Sequence, residues 1–215
     1  MCGRYAIGLG GEDIAERFLT DERLSFDATY NAAPNNALPI VTRDSGANHV
    51  ELARWGLRPS WADERHDGFI NARVETADEK RSFADAWRSN RCLVPFTGFY
   101  EWSGTSGGKT PYYFTRDGVA SLSFAGLYVT RGDTASFTIL TTEASDAVSE
   151  VHDRMPVVLR RSEEGSWVLG RLAKDRLISD RPELRYHPVT KAVNSPSNDG
   201  AFLTEEQDGL SEFTA

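Results

Sequence analysis

Residues 121–142, SLSFAGLYVTRGDTASFTILTT, contain two strongly β-prone runs, 121–130 and 136–142. Both runs are rich in β-branched and aromatic residues, which fit the pleated, half-buried surface of a sheet. Outward from this stretch, short strands separated by turn residues are predicted at 2–7, 38–42, 49–55, 91–102, 112–115 and 184–189. We therefore expect a chain built mainly of short strands.

Helices are predicted at fewer places. Apolar residues at helical spacing indicate a helix near 14–19, and Thr76 with Glu79 forms a capping box for a helix over 77–88. Further short helices are predicted after Ser145 and over 163–172. Because helices and strands do not alternate regularly, the pattern favours the α+β class, a single domain with an antiparallel, barrel-like β core and peripheral short helices.

Length and composition limit the class of protein. The chain has 215 residues, 40% of them hydrophobic, with a net charge of -8. No apolar run approaches the roughly 18 residues of a membrane span, and no signal peptide is visible, so a cytoplasmic protein is expected. We predict a domain over 1–198 followed by an acidic tail over 199–215, and a monomer as the simplest state.

The cysteine and charge patterns exclude several kinds of site. Cys2 and Cys92 are too few for a disulfide framework, and no CxxC or HExxH motif indicates a metal, so neither a metal nor another cofactor is predicted. The negative charge argues against nonspecific coating of nucleic acid, although a local basic cleft remains compatible with it. Apart from four lysines the basic residues are arginines, which suit bidentate phosphate contacts.

The first residues, Met1-Cys2-Gly3-Arg4, carry the most unusual chemistry. A small second residue favours removal of Met1, which leaves Cys2 with a free α-amine next to its thiol. The ordinary pKa values of these groups are about 8 and about 8.5, so both nucleophiles are available near neutrality. Such an aminothiol captures aldehydes, first as a Schiff base and then as a five-membered thiazolidine. A cysteine after Met by chance is the alternative.

Four other residues carry candidate chemistry, each with a structural alternative. Glu101, between two aromatic residues, is either solvated or buried with a raised pKa suited to proton transfer. His152 is either an acid–base residue or part of a surface junction. Asn71 is either a site amide or a turn residue, and Trp61 either a binding or a core residue. Individually, none of these residues decides the function.

Seven sequence blocks, taken in order, are more specific. The chain contains MCGRYA at 1–6, YNAAP at 30–34, WGLRPSW at 55–61, INARVET at 70–76, GFYEW at 98–102, VHDRMP at 151–156 and HPVTKAVN at 187–194. Together these blocks resemble the SRAP family, the SOS-response-associated peptidase-like proteins that attach to abasic sites in single-stranded DNA. The resemblance runs from Cys2 to about Asn198, nearly the full length.

The resemblance implies a covalent crosslink to an abasic site that shields the lesion during the DNA damage response. Cys2 is then the nucleophile that forms the thiazolidine, Asn71 and Glu101 hold and protonate the lesion, and His152 is the acid–base partner. The residues implied to contact DNA are Arg73 and Arg154 at the flanking phosphates, Pro34 and Trp61 at the bases, and Arg4 in support. Because these phosphate contacts are independent of sequence, they suit a lesion that occurs anywhere.

Three other functions remain open at the sequence level. Cys2 could serve a thiol autopeptidase, although only Met1 precedes it. A Schiff base could instead lead to β-elimination, which would make the protein a lyase. Finally, the arginine and aromatic residues could form a noncatalytic reader of modified DNA bases, in which Cys2 is incidental.

Overall fold

The structure, a computed structural model, describes residues 2–63, 65–104 and 108–207. Its strands are β1 Tyr5–Ile7, β2 Thr29–Ala32, β3 Ala37–Asp44, β4 Ala47–Trp55, β5 Asn71–Arg73, β6 Arg91–Phe96, β7 Gly98–Ser103, β8 Thr110–Thr115, β9 Leu122–Arg131, β10 Thr134–Glu143, β11 Arg154–Pro156, β12 Val158–Leu159 and β13 Arg185–Pro188. Its α-helices are α1 Gly11–Phe18, α2 Ala84–Ser89, α3 Asp146–Ser149, α4 Arg161–Val168 and α5 Lys174–Ser179, and 3-10 helices cover Lys191–Asn194 and Ala201–Thr204.

The smaller sheet positions the beginning of the chain. Its strand order is β13-β8-β7-β1-β2, and Tyr5 of β1 lies opposite Phe99 of β7 on one side and Ala32 of β2 on the other. Every residue of β1 is buried. Because β1 lies between two neighbours, the residues just before it are held at the interior of the protein.

The larger sheet has the order β11-β10-β4-β3-β6-β9-β12, and its path closes through an additional β9–β10 pairing. Strand β10 also pairs with β5. The α+β class predicted from the sequence is confirmed. The antiparallel prediction needs one correction, because β10 runs parallel to both β4 and β5. The barrel-like shape stays a prediction.

Aromatic side chains join the two sheets into one core. Tyr5 of the smaller sheet makes edge contacts with Trp55 at 5.0 Å and Phe124 at 5.6 Å between ring centroids. Trp55 in turn stacks on Phe137 of β10 at 6.4 Å, and all four rings are fully buried. Edge and offset contacts of this kind stabilise a core beyond the area they bury.

One local prediction was wrong, and one helix was not predicted. The helix expected over 77–88 begins only at Ala84, and turns precede it. Here tertiary contacts override the capping signal, because Lys174 of α5 donates to the carboxylate of Asp78 and to the carbonyl of Glu75. The helix over 174–179 that supplies Lys174 was missed by the sequence reasoning.

The predicted acidic tail begins at residue 199, and residues 199–207 of it contact the rest of the chain. The Asp199 carboxylate accepts hydrogen bonds from the Thr29 hydroxyl at 2.8 Å and the Tyr30 N–H at 2.6 Å. Leu203 is fully buried, and the Gln207 N–H donates to the carbonyl of Pro188 at 2.9 Å. Residues 208–215 of the predicted tail, like Met1, lie outside the described residues.

Candidate active site at the start of the chain

A cleft of about 480 Å³ opens at the end of the smaller sheet. Strand β7 contributes Glu101 and Trp102, and the segment after α3 contributes His152. The cleft is completed by Lys109 and Asn194. Two of the residues predicted to act as acid or base, Glu101 and His152, therefore line one cavity, although they are far apart in sequence.

Cys2 lies fully buried next to this cleft as a free thiol. Strand β7 holds the chain just after Cys2, because the Tyr100 N–H donates to the Arg4 carbonyl at 3.0 Å. Burial, followed by the negative charge of Glu101, raises the pKa of the Cys2 thiol well above its ordinary value. The thiol is therefore neutral near pH 7 and must lose its proton during any reaction with a carbon electrophile.

Asn71 connects β5 to the first residues. Its side-chain amide donates to the carbonyl of Cys2 at 2.8 Å, and its backbone pairs with Ile139 of β10. Its Oδ1 atom is buried and has no hydrogen-bond partner among the described residues. A buried acceptor usually has a partner, so this oxygen is placed to accept a hydrogen bond from an N–H or O–H group brought next to Cys2.

Glu101 is buried, with 4% of its surface exposed, so the solvated alternative is wrong. Burial raises the pKa of this carboxyl, and the nearby His152 lowers it in part. Its charge also acts on the Cys2 thiol, so the carboxyl lies near both the thiol and the histidine. A carboxyl that stays protonated above its usual range is suited to donate a proton.

His152 sits where the chain turns from α3 into β11. The Arg154 N–H donates to Nδ1 of His152 at 2.9 Å, which requires a neutral ring with its proton on Nε2. The Asp153 carboxylate also lies 2.9 Å from the same Nδ1, an ion pair that exists only when the ring is protonated. Nδ1 cannot make both contacts at once, because it accepts a hydrogen bond from the backbone N–H but must donate one to the carboxylate.

The three predicted DNA-contacting arginines differ in their surroundings. Arg73, at the end of β5, is exposed. Arg4 points inward and donates to Asn31 at 2.6 Å and to the carbonyl of Val193 at 2.9 Å. Arg154 is buried in a bidentate pair with Glu75 at 2.7 and 2.9 Å. Phosphate contact stays a prediction for all three, and Arg73 is the one best exposed to solvent.

Of the two predicted stacking residues, Pro34 lies on the loop that joins the smaller sheet to the larger one, and Trp61 lies on the loop between β4 and β5. Pro34 is half-buried between β2 and β3. Trp61 is 46% exposed and so does not belong to the core. Its ring meets His66 edge-on at 5.7 Å, and the Arg81 guanidinium lies 5.7 Å from its centroid. An exposed aromatic ring held by neighbours on two sides is available to stack on a nucleic-acid base.

Three cleft residues were missed by the sequence reasoning. The Trp102 indole N–H donates to Oδ1 of Asn194 at 2.7 Å, which connects β7 to the 3-10 helix over Lys191–Asn194. Both residues occur within the sequence blocks quoted above, so their membership of those blocks was an available signal. Lys109 lies outside these blocks, so the sequence offered no such signal for it.

Within the described ranges, no group of three or more histidine, cysteine, aspartate or glutamate side chains is placed to hold a metal ion. Among the same residues, no helix combines the length and apolar character that crossing a membrane requires.

Comparison with known sequences gives a consistent result. Residues 1–196 match the family described as SOS response associated peptidase (SRAP). The chain is 33% identical to the abasic site processing protein YoaM of Bacillus subtilis, over 98% of this chain and 100% of the relative. It is 31% identical to the abasic site processing protein YedK of Escherichia coli, over 95% and 99%. It is 28% identical to HMCES of Xenopus tropicalis, also named an abasic site processing protein, over 92% and 76%.

Solved structures show the same fold. A protein from Bacteroides thetaiotaomicron superposes with a TM-score of 0.81 at 23% identity, covering 96% of this chain and all of the other. A phage-related protein from Bordetella bronchiseptica superposes with a TM-score of 0.69 at 30% identity, covering 88% and 95%.

Proposed function

Because this chain belongs to the SOS response associated peptidase (SRAP) family, we propose that it processes abasic sites in DNA. The relatives that bear the name abasic site processing protein match it over almost its entire length. Its DNA substrate is a single strand, in which the sugar of the lesion is accessible without extrusion from a duplex. The product is a covalent crosslink that shields the lesion.

The observation that supports the proposal is that Cys2 lies next to both Asn71 and Glu101, and Glu101 lines the cleft. Asn71 donates to the Cys2 carbonyl, and Glu101 lies close enough for its charge to act on the Cys2 thiol. Once Met1 is removed, the α-amine of Cys2 starts from the same position. Holding the aminothiol against the lesion turns a slow bimolecular capture into an intramolecular step.

The reaction proceeds through four changes. Protonated Glu101 gives its proton to the ring oxygen of the abasic sugar while the hydroxyl on C1′ loses its own, and the aldehyde is exposed. The amine of Cys2 adds to C1′, and loss of one water leaves the imine. The sulfur then bonds to the same carbon, the thiol proton passes to the nitrogen, and the thiazolidine is closed. One water is released in total, and nothing is oxidised or reduced.

His152 and Asn71 complete this scheme. The neutral ring of His152 accepts a proton from the amine or the sugar hydroxyl, and the Asp153 carboxylate stabilises the protonated ring. The unpartnered oxygen of Asn71 accepts a hydrogen bond from the amine and orients it without adding charge.

The test uses a denaturing gel. Protein whose intact mass confirms the loss of Met1 is incubated with a single-stranded oligonucleotide that contains one abasic site, and a shifted band that survives denaturation is expected. Cys2→Ala should abolish the band, whereas Cys92→Ala, which removes the other buried free thiol, should retain it.

Other outcomes would contradict the proposal. Crosslinking by Cys2→Ala would exclude the aminothiol as the nucleophile. Binding without a denaturation-resistant band indicates a noncatalytic reader, peptide release without DNA indicates an autopeptidase, and strand cleavage indicates that β-elimination precedes ring closure.

A further inference from the structure

We propose that Asn31 is a positioning residue for the aminothiol of Cys2. It acts through Arg4, and it connects the start of the chain to the segment that supplies Asn194 to the cleft. The inference rests on the function proposed above, because it concerns the geometry of the same reaction.

Asn31 lies in β2, at the edge of the smaller sheet, and its side chain is buried. Its carboxamide oxygen accepts a hydrogen bond from Nη1 of Arg4 at 2.6 Å. Its amide nitrogen donates to the carbonyls of Ser195 at 2.9 Å and Asn198 at 2.7 Å. These two bonds use both hydrogens of the amide group. One buried side chain therefore joins two parts of the chain that are far apart in sequence.

Arg4 carries this connection to the nucleophile. The Arg4 nitrogen that binds Asn31 also donates to the carbonyl of Val193 at 2.9 Å. The backbone carbonyl of Arg4 lies 3.7 Å from the Cys2 sulfur, which donates to it. A displacement of Arg4 would therefore move the aminothiol as well.

The segment that Asn31 holds contains one wall of the cleft. Asn194 directly precedes Ser195 and lines the cleft together with Glu101. Its Oδ1 atom accepts a hydrogen bond from the Trp102 indole N–H at 2.7 Å. Asn31 thus fixes this wall relative to the first residues of the chain.

This arrangement predicts which step depends on Asn31. The aminothiol reacts quickly with the lesion because it is held in place, and a displacement of about 1 Å is enough to slow such a reaction severely. The intrinsic reactivity of the amine and the thiol does not depend on this alignment. Loss of the Asn31 contacts should therefore slow crosslinking after DNA is bound, without making the aminothiol itself less reactive.

The first experiment uses Asn31→Leu, in which a side chain of similar size makes no hydrogen bond. Crosslinking to single-stranded abasic DNA is followed on denaturing gels over a range of DNA concentrations, well below the Tm of each protein. The maximal rate should fall about tenfold, and the half-saturating DNA concentration should change by less than about twofold. Thiazolidine formation with formaldehyde, followed by the mass of the N-terminal peptide, should not slow, because this small aldehyde needs no alignment.

A second variant, Arg4→Gln, breaks the same connection from its other end, so the test does not depend on the folding of one protein. It should also lower the maximal rate at saturating DNA. The double variant Arg4→Gln with Asn31→Leu should be about as slow as the slower single variant, because the two side chains act as one unit. Additive losses of rate would refute the claim that Asn31 acts through Arg4.

The hairpin of β3 and β4 offers a matched control. There Nη1 of Arg43 donates to Oδ1 of Asn48 at 2.7 Å, and the Asn48 amide donates to the carbonyl of Phe18 at 2.7 Å. Asn48→Leu removes the same kind of connection and should leave the maximal rate of crosslinking unchanged.

Three results would overturn the inference. A wild-type maximal rate in folded Asn31→Leu would show that the contacts do not position the aminothiol. An equal loss of rate in Asn48→Leu would assign the effect to stability, and an equal loss in the formaldehyde reaction would assign it to intrinsic reactivity. Failure of the wild-type protein to crosslink at all would instead refute the function on which the inference rests.

Discussion

Glu101 shows how one buried side chain sets the chemistry of the site. The sequence left it open whether this carboxyl faces water, because alternation along the strand turns it away from its aromatic neighbours. In the structure both Tyr100 and Glu101 are buried, and Glu101 shares a cleft with His152, which is far away in sequence. The raised pKa of Glu101 is therefore a result of tertiary burial.

Replacement of Glu101 by Gln should raise stability and lower activity. The pKa of Glu101 in the folded state lies above the ordinary value of 4.5. Folding therefore favours the protonated carboxyl. This contribution to stability is fully present below pH 4.5 and is lost as the pH rises through the folded-state pKa. Glu101→Gln should thus raise Tm by about 2–4 °C at pH 7.5 and by less at pH 4, as followed by calorimetry. Crosslinking should slow by about 10²-fold, because the amide cannot donate the proton. A fall in both Tm and rate would instead indicate a structural role.

Substitutions of Arg73 and Arg154 should have different effects, although the family resemblance implies that both residues contact phosphate. Arg154→Ala removes a buried partner of Glu75, whose side chain is 31% exposed. The expected loss is about 2 kcal/mol of unfolding free energy, below the roughly 3–5 kcal/mol of a fully buried pair. Arg73→Ala should leave urea unfolding unchanged and reduce the salt slope of DNA binding by about 0.7. Glu75→Gln is the control, and it should reproduce the stability loss if the ion pair is the cause.

Among the elements, those with strong local signals were predictable. Strands β9 and β10 lie within one or two residues of the predicted runs, because their β-branched and aromatic content suits a sheet whatever its neighbours are. Strand β5 has only three residues, and its pairing partner β10 is far away in sequence, so no local pattern could reveal it. The capping box at Thr76 failed for a related reason, since ion pairs from α5 and β11 fix that segment.

Strand β7 carries Glu101, and its first residue allows a close approach of β8. A Cβ at Gly98 would lie 2.2 Å from the Tyr113 ring, and both residues are buried. Gly98→Ala should therefore cost about 1–3 kcal/mol by overpacking and slow crosslinking through displacement of β7. Gly165→Ala in α4 is the control, because a Cβ there meets nothing within 4 Å and should stabilise the helix by up to about 1 kcal/mol. Similar Tm values for the two variants would show that β7 tolerates the added methyl.

At the scale of the whole molecule, the site is assembled from segments that only the fold brings together. Cys2 precedes β1, Asn71 begins β5, Glu101 lies in β7 and His152 follows α3. Residue types and sequence blocks identified these four candidates, because each carries recognisable chemistry or occurs in a characteristic block. The unused oxygen of Asn71 and the cleft residue Lys109 depend on distances between elements, which composition and spacing do not contain.

The contacts of residues 199–207 bear on where the folded domain ends. The predicted boundary at 198 remains a prediction, but residues 199–207 contribute the Asp199 bonds to β2 and the buried side chain of Leu203. Deletion of 199–215 should therefore lower Tm by about 4–8 °C, since burial of one leucine is worth about 2 kcal/mol. Because β2 adjoins β1, crosslinking should also slow. Deletion of 208–215 alone keeps these contacts, so a thermal melt of this shorter truncation measures Tm with residues 199–207 in place. If both truncated proteins have the same Tm as the full chain, residues 199–207 do not contribute to the stability of the domain.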